Sequence, residues 1–339
     1  MSMMRAMVVR EPGKGLHLEE RDIPTPGRHE VRVRIEACGV CHSDSLTVEG
    51  HMPGLVFPRI PGHEVIGLVD EIGPELDGWE VGTRVGVGWS PGACGWCHHC
   101  RRGDMFACET VRGATGVSRD GGYATHMLAL DSALARIPAE LDSVESAPLL
   151  CAGITTFNAL RHCGATPGDL VAIHGVGGLG HLAIQFAAHA GYRTVAVNRG
   201  RDKEKLAREL GAHAYIDSET DDPAAALQKM GGAKAVLATV TNAQAMQAIA
   251  GGLGPNGTML VIGAVGVLTV DSLDLLTKRA AVKGWYSGTA SDSEDTLAFS
   301  KLHHITSMNE VYPLEDAQAA YDRMMSGKAR FRVVLRMAG

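Results

Sequence analysis

The sequence predicts an α/β protein of two domains: a β-rich, antiparallel, barrel-like domain and a doubly wound parallel-sheet domain. Three observations carry that expectation. At 339 residues the chain exceeds what one ordinary core holds. Residues 1 to about 150 carry short apolar runs between glycine and proline turns. From about residue 168, short apolar runs alternate with helical stretches.

In the first part, EVRVRIEA alternates Val31, Val33 and Ile35 with Arg32, Arg34 and Glu36, the pattern of a half-buried strand. HEVIGLVDEIG, TRVGVGW and YATHMLAL add further runs of strand length. In the second part DLVAIHG, RTVAV, HAYID, KAVLATV and TMLVIGA read as strands, and LGHLAIQFAAHAG, RDKEKLARELGA and NAQAMQAIAGGL as helices. That alternation implies βαβ units. It stops near residue 290, and ARFRVVLRM reads as a last strand able to return to the first domain.

The composition, 45% hydrophobic and 21% charged, supplies enough apolar material for sizeable cores. A net charge of −6 argues against a nucleic-acid partner. MSMMRAMVVREPG lacks the apolar segment of a signal peptide, and nowhere do eighteen apolar residues run together. A soluble, cytoplasmic protein without a membrane partner is expected.

The stretch VAIHGVGGLGHLAIQFA places Gly175, Gly177 and Gly180 in G-x-G-x-x-G spacing between an apolar strand and an apolar-periodic helix. Gly175 would permit the tight turn, Gly177 a close approach of backbone to a pyrophosphate, and Gly180 close packing of helix on strand. Gly178 and Leu179 complete the loop at a helix N-terminus that faces negative charge. With 42 glycines in the chain, a plain βα turn is the bland alternative. The next strand ends in VAVNRGRDKEK, with Asn198 where a NAD site usually carries an acidic residue, then Arg199, Arg201 and Lys203. A neutral amide beside guanidinium groups suits a 2′-phosphate, so NADP(H) is favoured over NAD(H). Solvated charges at a helix start are the alternative.

GACGWCHHCRRGDMFAC packs Cys94, Cys97, Cys100 and Cys108, half of the eight cysteines, into one short loop. That spacing lets one segment wrap a single ion, and four thiolates give zinc a closed, structural site. A redox relay or a metal-free loop weighs less, and His98 and His99 read as surface residues. A second set comprises Cys41 from CGVCHSDS, His63 and Glu64 from PGHE, and Cys151 from PLLCAGITT. Two cysteines and one histidine are the ligands of a catalytic zinc with an open fourth position. Their wide separation makes spacing a poor warrant. Cys151 could be a small buried apolar residue, as Cys38 and Cys163 are read, and His63 a satisfied core histidine. The joint occurrence of both cysteine sets and the glycine loop favours the metal.

With CGVCHSD, PGHEVIGLV, the four-cysteine lobe, PLLCAGITTFNAL and HGVGGLGHLAIQFA in that order, the chain resembles the zinc-dependent medium-chain alcohol dehydrogenases over essentially its full length. It looks closest to their microbial and cinnamyl-alcohol-dehydrogenase-like members. The resemblance implies a GroES-like catalytic domain over residues 1–152 and 290–339, interrupted by a Rossmann coenzyme domain over 153–289, with the active cleft between them. It implies that Cys41, His63 and Cys151 bind a catalytic zinc and the four clustered cysteines a structural one. Glu64 would approach the metal transiently, and Asp44 would orient His63. In such enzymes zinc stabilises the alkoxide of a bound alcohol while the nicotinamide takes hydride from the adjacent carbon.

Ser43 matches the hydroxyl that begins the family's proton relay. At the relay's solvent end many relatives carry a histidine five positions after the first ligand; this chain has Leu46. The relay would then end at ribose and water, or at His51, which reads better as a surface loop histidine. His42 and Arg332 align with pyrophosphate contacts, Thr155 with the residue flanking the nicotinamide, and Gly263, Ala264 and Val265 with the segment receiving its carboxamide. Trp89 resembles an aromatic wall beside the catalytic zinc. Met52 stands where small-alcohol members present a bulky aromatic, and a flexible thioether leaves more room. The expected substrates are medium-sized or aromatic primary alcohols and their aldehydes, and the expected assembly is a homotetramer, with a dimer as the alternative.

Other readings explain less. NAD(H)-dependent polyol or secondary-alcohol dehydrogenases of the same superfamily often use glutamate in place of Cys151, and zinc-free quinone reductases lack the cysteine sets. A zinc-ribbon nucleic-acid module conflicts with the acidic charge balance. A dinucleotide-binding redox regulator leaves His63 and Asp44 without a purpose.

Overall fold

The strand Glu30–Val40, the longest among the described residues, organises the first part of the chain. Val31, Val33 and Ile35 are buried while Arg32, Arg34 and Glu36 are not, so alternation in the sequence becomes an inner and an outer face. Three antiparallel partners share this strand: Val65–Ile72 along one edge, and His126–Leu130 and Arg332–Arg336 along the other. The sheet continues through Arg84–Val87 and Leu134–Arg136 on one side and Asn309–Pro313 on the other. A separate ribbon pairs Met3–Val8 with His17–Asp22. The core between these strands includes Val31, Val33, Ile35, Val65, Tyr123 and Leu335.

The structure is a computed structural model and describes residues 3–338. The chain forms two units, one running to Ile154 and resuming at Gly288, the other Thr155–Ser287. The helix Ala152–Arg161 carries the chain across the first boundary.

The second unit holds a six-stranded, all-parallel sheet. In spatial order its strands are Ala214–Asp217, Arg193–Asn198, Leu170–His174, Ala233–Ala238, Leu253–Val261 and Ala281–Gly284. The chain starts in the middle with Leu170–His174, winds outward to one side, then returns to build the other. That reversal is the switch point of a doubly wound sheet, where a crevice opens at the carboxyl ends of the strands. Every residue of Leu170–His174 is buried, which is why it reads as an unbroken apolar run. Asp222 and Asn242 cap the helices Pro223–Lys229 and Ala243–Ala250 by accepting from backbone N–H groups of their first turns.

The segment after residue 290 is helical where no alternation was legible. The helix Ala290–His303 buries Ser293, Thr296, Leu297 and Ser300. Thr296 and Ser300 donate to the carbonyls of Asp292 and Thr296, so their hydroxyls are satisfied within the helix and can be buried without an apolar stripe. No helix among the described residues is long and apolar enough to cross a membrane.

Candidate metal centres and dinucleotide loop

Cys94, Cys97, Cys100 and Cys108 converge: one sulfur from each lies within 4.8 Å of the others. Backbone N–H groups point at these sulfurs, from Cys97 to Cys94 at 3.4 Å, and from Cys94 and Val111 to Cys108 at 3.4 and 3.3 Å. Burial raises the Cys94 and Cys108 thiols, but the backbone donors outweigh it and hold both below the ordinary thiol range. A closed cage of four sulfurs with donors aimed at thiolates fits a tetrahedral metal. His98 is exposed and His99 half-buried, the latter 3.7 Å from Glu109.

The second set is assembled from three separate segments. Cys41 directly follows the strand Glu30–Val40 and opens the turn His42–Asp44. His63 and Glu64 lead into the strand Val65–Ile72, and Cys151 closes the turn Ala147–Leu150. The sulfurs of Cys41 and Cys151 lie 3.8 Å apart, and ligand atoms of Cys41, His63, Glu64 and Cys151 all fall within 4.8 Å of one another. His63 is 1% exposed; its Nδ1 meets Asp44 Oδ1 at 3.0 Å, while its Nε2 is buried without a hydrogen-bond partner. An imidazole donating through Nδ1 presents a bare lone pair at Nε2, which is what a metal takes. The hydrogen bond from Cys151 holds Cys41 well below the usual thiol range, with His63 and Arg332 adding to it. The same bond pushes Cys151 up. Two sulfurs 3.8 Å apart beside an unpartnered Nε2 give a cation three donors once the thiols lose their protons, so these residues fit zinc.

Around this set, Arg332 lies against Glu64, both buried. Burial pushes the Glu64 carboxyl up to about 7, against the pull of Arg332. A Cβ at Gly39 would stand 1.8 Å from Glu64 Oε2, so only glycine leaves room for this carboxylate. Trp89 stands edge-on to His63, ring centroids 4.8 Å apart at 87°. Ser43, Leu46 and Met52 are half-buried, and His42 and His51 are exposed. Cys38 and Cys163 are buried. Tyr123, fully buried, donates its hydroxyl to Asp44 at 2.8 Å. Sequence reasoning passed over this residue; the glycine pair Gly121–Gly122 before it was the signal available.

In the second unit the three loop glycines have distinct surroundings. Gly175 adopts φ +102°, a conformation that L side chains rarely take. A Cβ at Gly180 would lie 1.8 Å from the Gly175 carbonyl, so helix and strand touch there. A Cβ at Gly177 would meet nothing within 4 Å; the loop is open on that side. Gly178 and Leu179 lead into the helix Gly180–His189. A loop of bare backbone, open beside Gly177 and leading into a helix N-terminus, fits a dinucleotide's pyrophosphate.

Asn198 is used locally, accepting from Val176 N at 3.1 Å and donating to Arg199 O at 3.0 Å. Lys203 reaches the Val176 carbonyl at 2.9 Å. Arg199 is exposed and pairs with Glu219 at 2.8 Å, and Arg201 pairs with Glu204 at 2.8 Å. Glu219, twenty positions beyond Arg199, was not singled out in the sequence. Thr155 and Gly263 are buried, Val265 half-buried and Ala264 exposed.

Residues 27–139 match the model for an alcohol dehydrogenase GroES-like domain, and residues 178–301 that for a zinc-binding dehydrogenase. The chain is 44% identical to alcohol dehydrogenase patD of Penicillium expansum, covering 99% of this chain and 98% of the other. It is 39% identical to an alcohol dehydrogenase of Geobacillus stearothermophilus, over 98% of this chain and 99% of that one. The structure of the cobalt- and zinc-bound thermostable alcohol dehydrogenase from Pyrobaculum aerophilum is similar with a TM-score of 0.87 at 28% identity, covering 99% of this chain and 100% of that one. The GroES-like fold, the Rossmann-type parallel sheet and relatives of full length agree: the chain belongs to the zinc-dependent medium-chain alcohol dehydrogenases.

Proposed function

We propose that this alcohol dehydrogenase binds a catalytic zinc through Cys41, His63 and Cys151 and a structural zinc through Cys94, Cys97, Cys100 and Cys108. It interconverts medium-sized or aromatic primary alcohols and their aldehydes, favouring NADP(H). The first unit is then the catalytic domain and the second the coenzyme domain. The single observation that supports this most is the buried, partnerless Nε2 of His63 beside the sulfurs of Cys41 and Cys151, which lie 3.8 Å apart.

When bound, zinc supplies a Lewis acid for the substrate oxygen and the nicotinamide a site for hydride. The chain's own residues do the rest. Asp44 holds the His63 tautomer, and Trp89 walls the metal set on the side of His63. Ser43 offers a hydroxyl two residues after Cys41 for proton transfer. Arg332 places a buried cation against two thiols and a carboxylate, offsetting negative charge that burial penalises.

The exposed guanidinium groups of Arg199 and Arg201 and the neutral Asn198 support NADP(H), because surface ion pairs are weak enough to be exchanged for a phosphate. A second reading, NAD(H), has one observation in its favour: the carboxylate of Glu219 already occupies Arg199. Homotetramer assembly is supported by the open edge of the strand Ala281–Gly284 and by the exposed Val267, Leu273 and Leu276 in the same unit.

The test is the initial rate of benzaldehyde reduction with NADPH and NADH side by side, before and after chelation. A chelator-sensitive rate favouring NADPH supports the whole reading. A rate favouring NADH retains the metal assignment and overturns the coenzyme preference. Equal kcat/KM for ethanol and benzyl alcohol would count against the substrate class.

A further inference from the structure

We propose that Tyr123 is a positioning residue for the metal-binding histidine, acting through Asp44. The proposal rests on the reading that Cys41, His63 and Cys151 hold the catalytic zinc.

The Asp44 carboxylate is 2% exposed and receives four donors. Oδ1 takes His63 Nδ1 at 3.0 Å and Gly62 N at 3.2 Å. Oδ2 takes Cys41 N at 2.8 Å and the Tyr123 hydroxyl at 2.8 Å. Two of these donors are backbone groups of Cys41 itself and of the residue before His63. The carboxylate therefore ties together the backbones that present two ligands and the ring of one of them. Filling both lone pairs of each oxygen fixes the plane of the carboxylate, and that plane sets where His63 aims Nε2.

The phenol is placed with little freedom. Tyr123 N donates to the Pro61 carbonyl at 3.0 Å, and its own carbonyl accepts from Met7 N at 2.8 Å. Its ring lies where a side chain at Gly62 would be: a Cβ there would stand 2.5 Å from Tyr123 Cδ1. Gly62 also has φ +103°, so glycine is required twice over, for its own conformation and for the ring above it. Burial and the neighbouring carboxylate keep the hydroxyl well above its usual pKa, so it remains a donor. Without it, Oδ2 keeps only the Cys41 N–H, the carboxylate plane is held by three donors instead of four, and His63 loses part of what fixes the direction of its hydrogen bond.

The test is Tyr123→Phe, which keeps the ring and removes the oxygen, in the zinc-loaded enzyme. Zinc release to a chromogenic chelator is followed in two phases, one per ion. The expected result is about tenfold faster release from the Cys41 site, in the range for loss of an outer-shell partner, with release from the four-cysteine site unchanged. Cobalt substituted at the Cys41 site should show shifted ligand-field bands. In an Asp44→Asn background, Tyr123→Phe should add less than about twofold. Unchanged release and an unchanged cobalt spectrum, with only a lower Tm, would make Tyr123 a packing residue and overturn the proposal. So would an undiminished effect in the Asp44→Asn background. Should Tyr123→Phe fail to fold, Tyr123→Met gives the same hydroxyl-free comparison. Single-phase release from the wild-type enzyme would overturn the ligand reading as well, and is distinguishable because it precedes any substitution.

Discussion

Arg332, on the last strand of the chain, lies buried against Glu64, the residue after His63. Removing Arg332 leaves Glu64 buried without its partner, and a carboxyl already pushed up to about 7 then takes a proton, so the loss is that of a buried hydrogen-bonded pair, about 1–3 kcal/mol. Arg332→Met is therefore expected to lower stability by that amount, seen as a lower midpoint in urea. Pairing it with Glu64→Leu should recover most of the loss, because no buried carboxyl then remains unpaired.

Two glycines of the dinucleotide loop should respond differently to the same methyl group. At Gly180 a Cβ collides with the Gly175 carbonyl, so Gly180→Ala must displace the helix and lower both Tm and coenzyme affinity. At Gly177 there is open space, so Gly177→Ala should keep its Tm and lose coenzyme affinity alone, by about tenfold. NADPH fluorescence titration beside thermal melts reads both.

Arg199 and its partner Glu219 should act in opposite senses on coenzyme choice. Losing a charge-assisted bond to a 2′-phosphate corresponds to about a tenfold rise in the NADPH Kd for Arg199→Gln, with the NADH Kd nearly unchanged. Glu219→Gln frees Arg199 and removes a repelling carboxylate, so NADPH should bind more tightly. Equal effects on both coenzymes would discard the phosphate argument.

Cys97→Ser breaks the closed sulfur cage. Metal analysis is expected to fall from two zinc ions per chain to one, with a drop in Tm. Retention of both ions would show that the lobe does not need four thiolates.

His174, at the end of the strand Leu170–His174, is 4% exposed, and its Nδ1 has no partner. Burial lowers its pKa to about 4. In the unfolded chain it binds a proton near pH 6.5. Between pH 6.5 and 4 the unfolded state thus carries more protons, so the stability tied to a neutral His174 is complete above 6.5 and is lost as the pH falls toward 4. The loss amounts to about 3 kcal/mol. His174→Gln should flatten the acid limb of the stability curve by about that much, measured by urea unfolding across this range.

The legible parts of the chain are those whose causes are local. The parallel strands show because burial on both faces writes unbroken apolar runs such as LVAIH. The four-cysteine lobe shows because its ligands share one loop, and the glycine loop because turn, approach and packing each demand glycine at a set spacing. Cys41, His63 and Cys151 were legible from residue type, joint occurrence with the other motifs and resemblance, but not from spacing, since nothing local joins residues 110 positions apart. Tyr123 meets Asp44 across 79 positions, a contact made by the packing of the first unit and not by any motif. The ribbon strand HLEERD hid because Leu18 is its one apolar residue, and Ala290–His303 because three of the four residues it buries carry hydroxyls.

The two sulfur-rich sets differ in how far the chain must travel to close them. Cys94 and Cys108 lie 14 positions apart, Cys41 and Cys151 110. On a flexible chain the longer closure costs about 2 kcal/mol more in entropy, and its ligands also wait on a sheet that joins residues near both ends of the sequence. The lobe can form as a nearly local event, early in the life of the nascent chain; the other set cannot exist until the sheet of the first unit has formed. On this assignment zinc loading has an order imposed by topology.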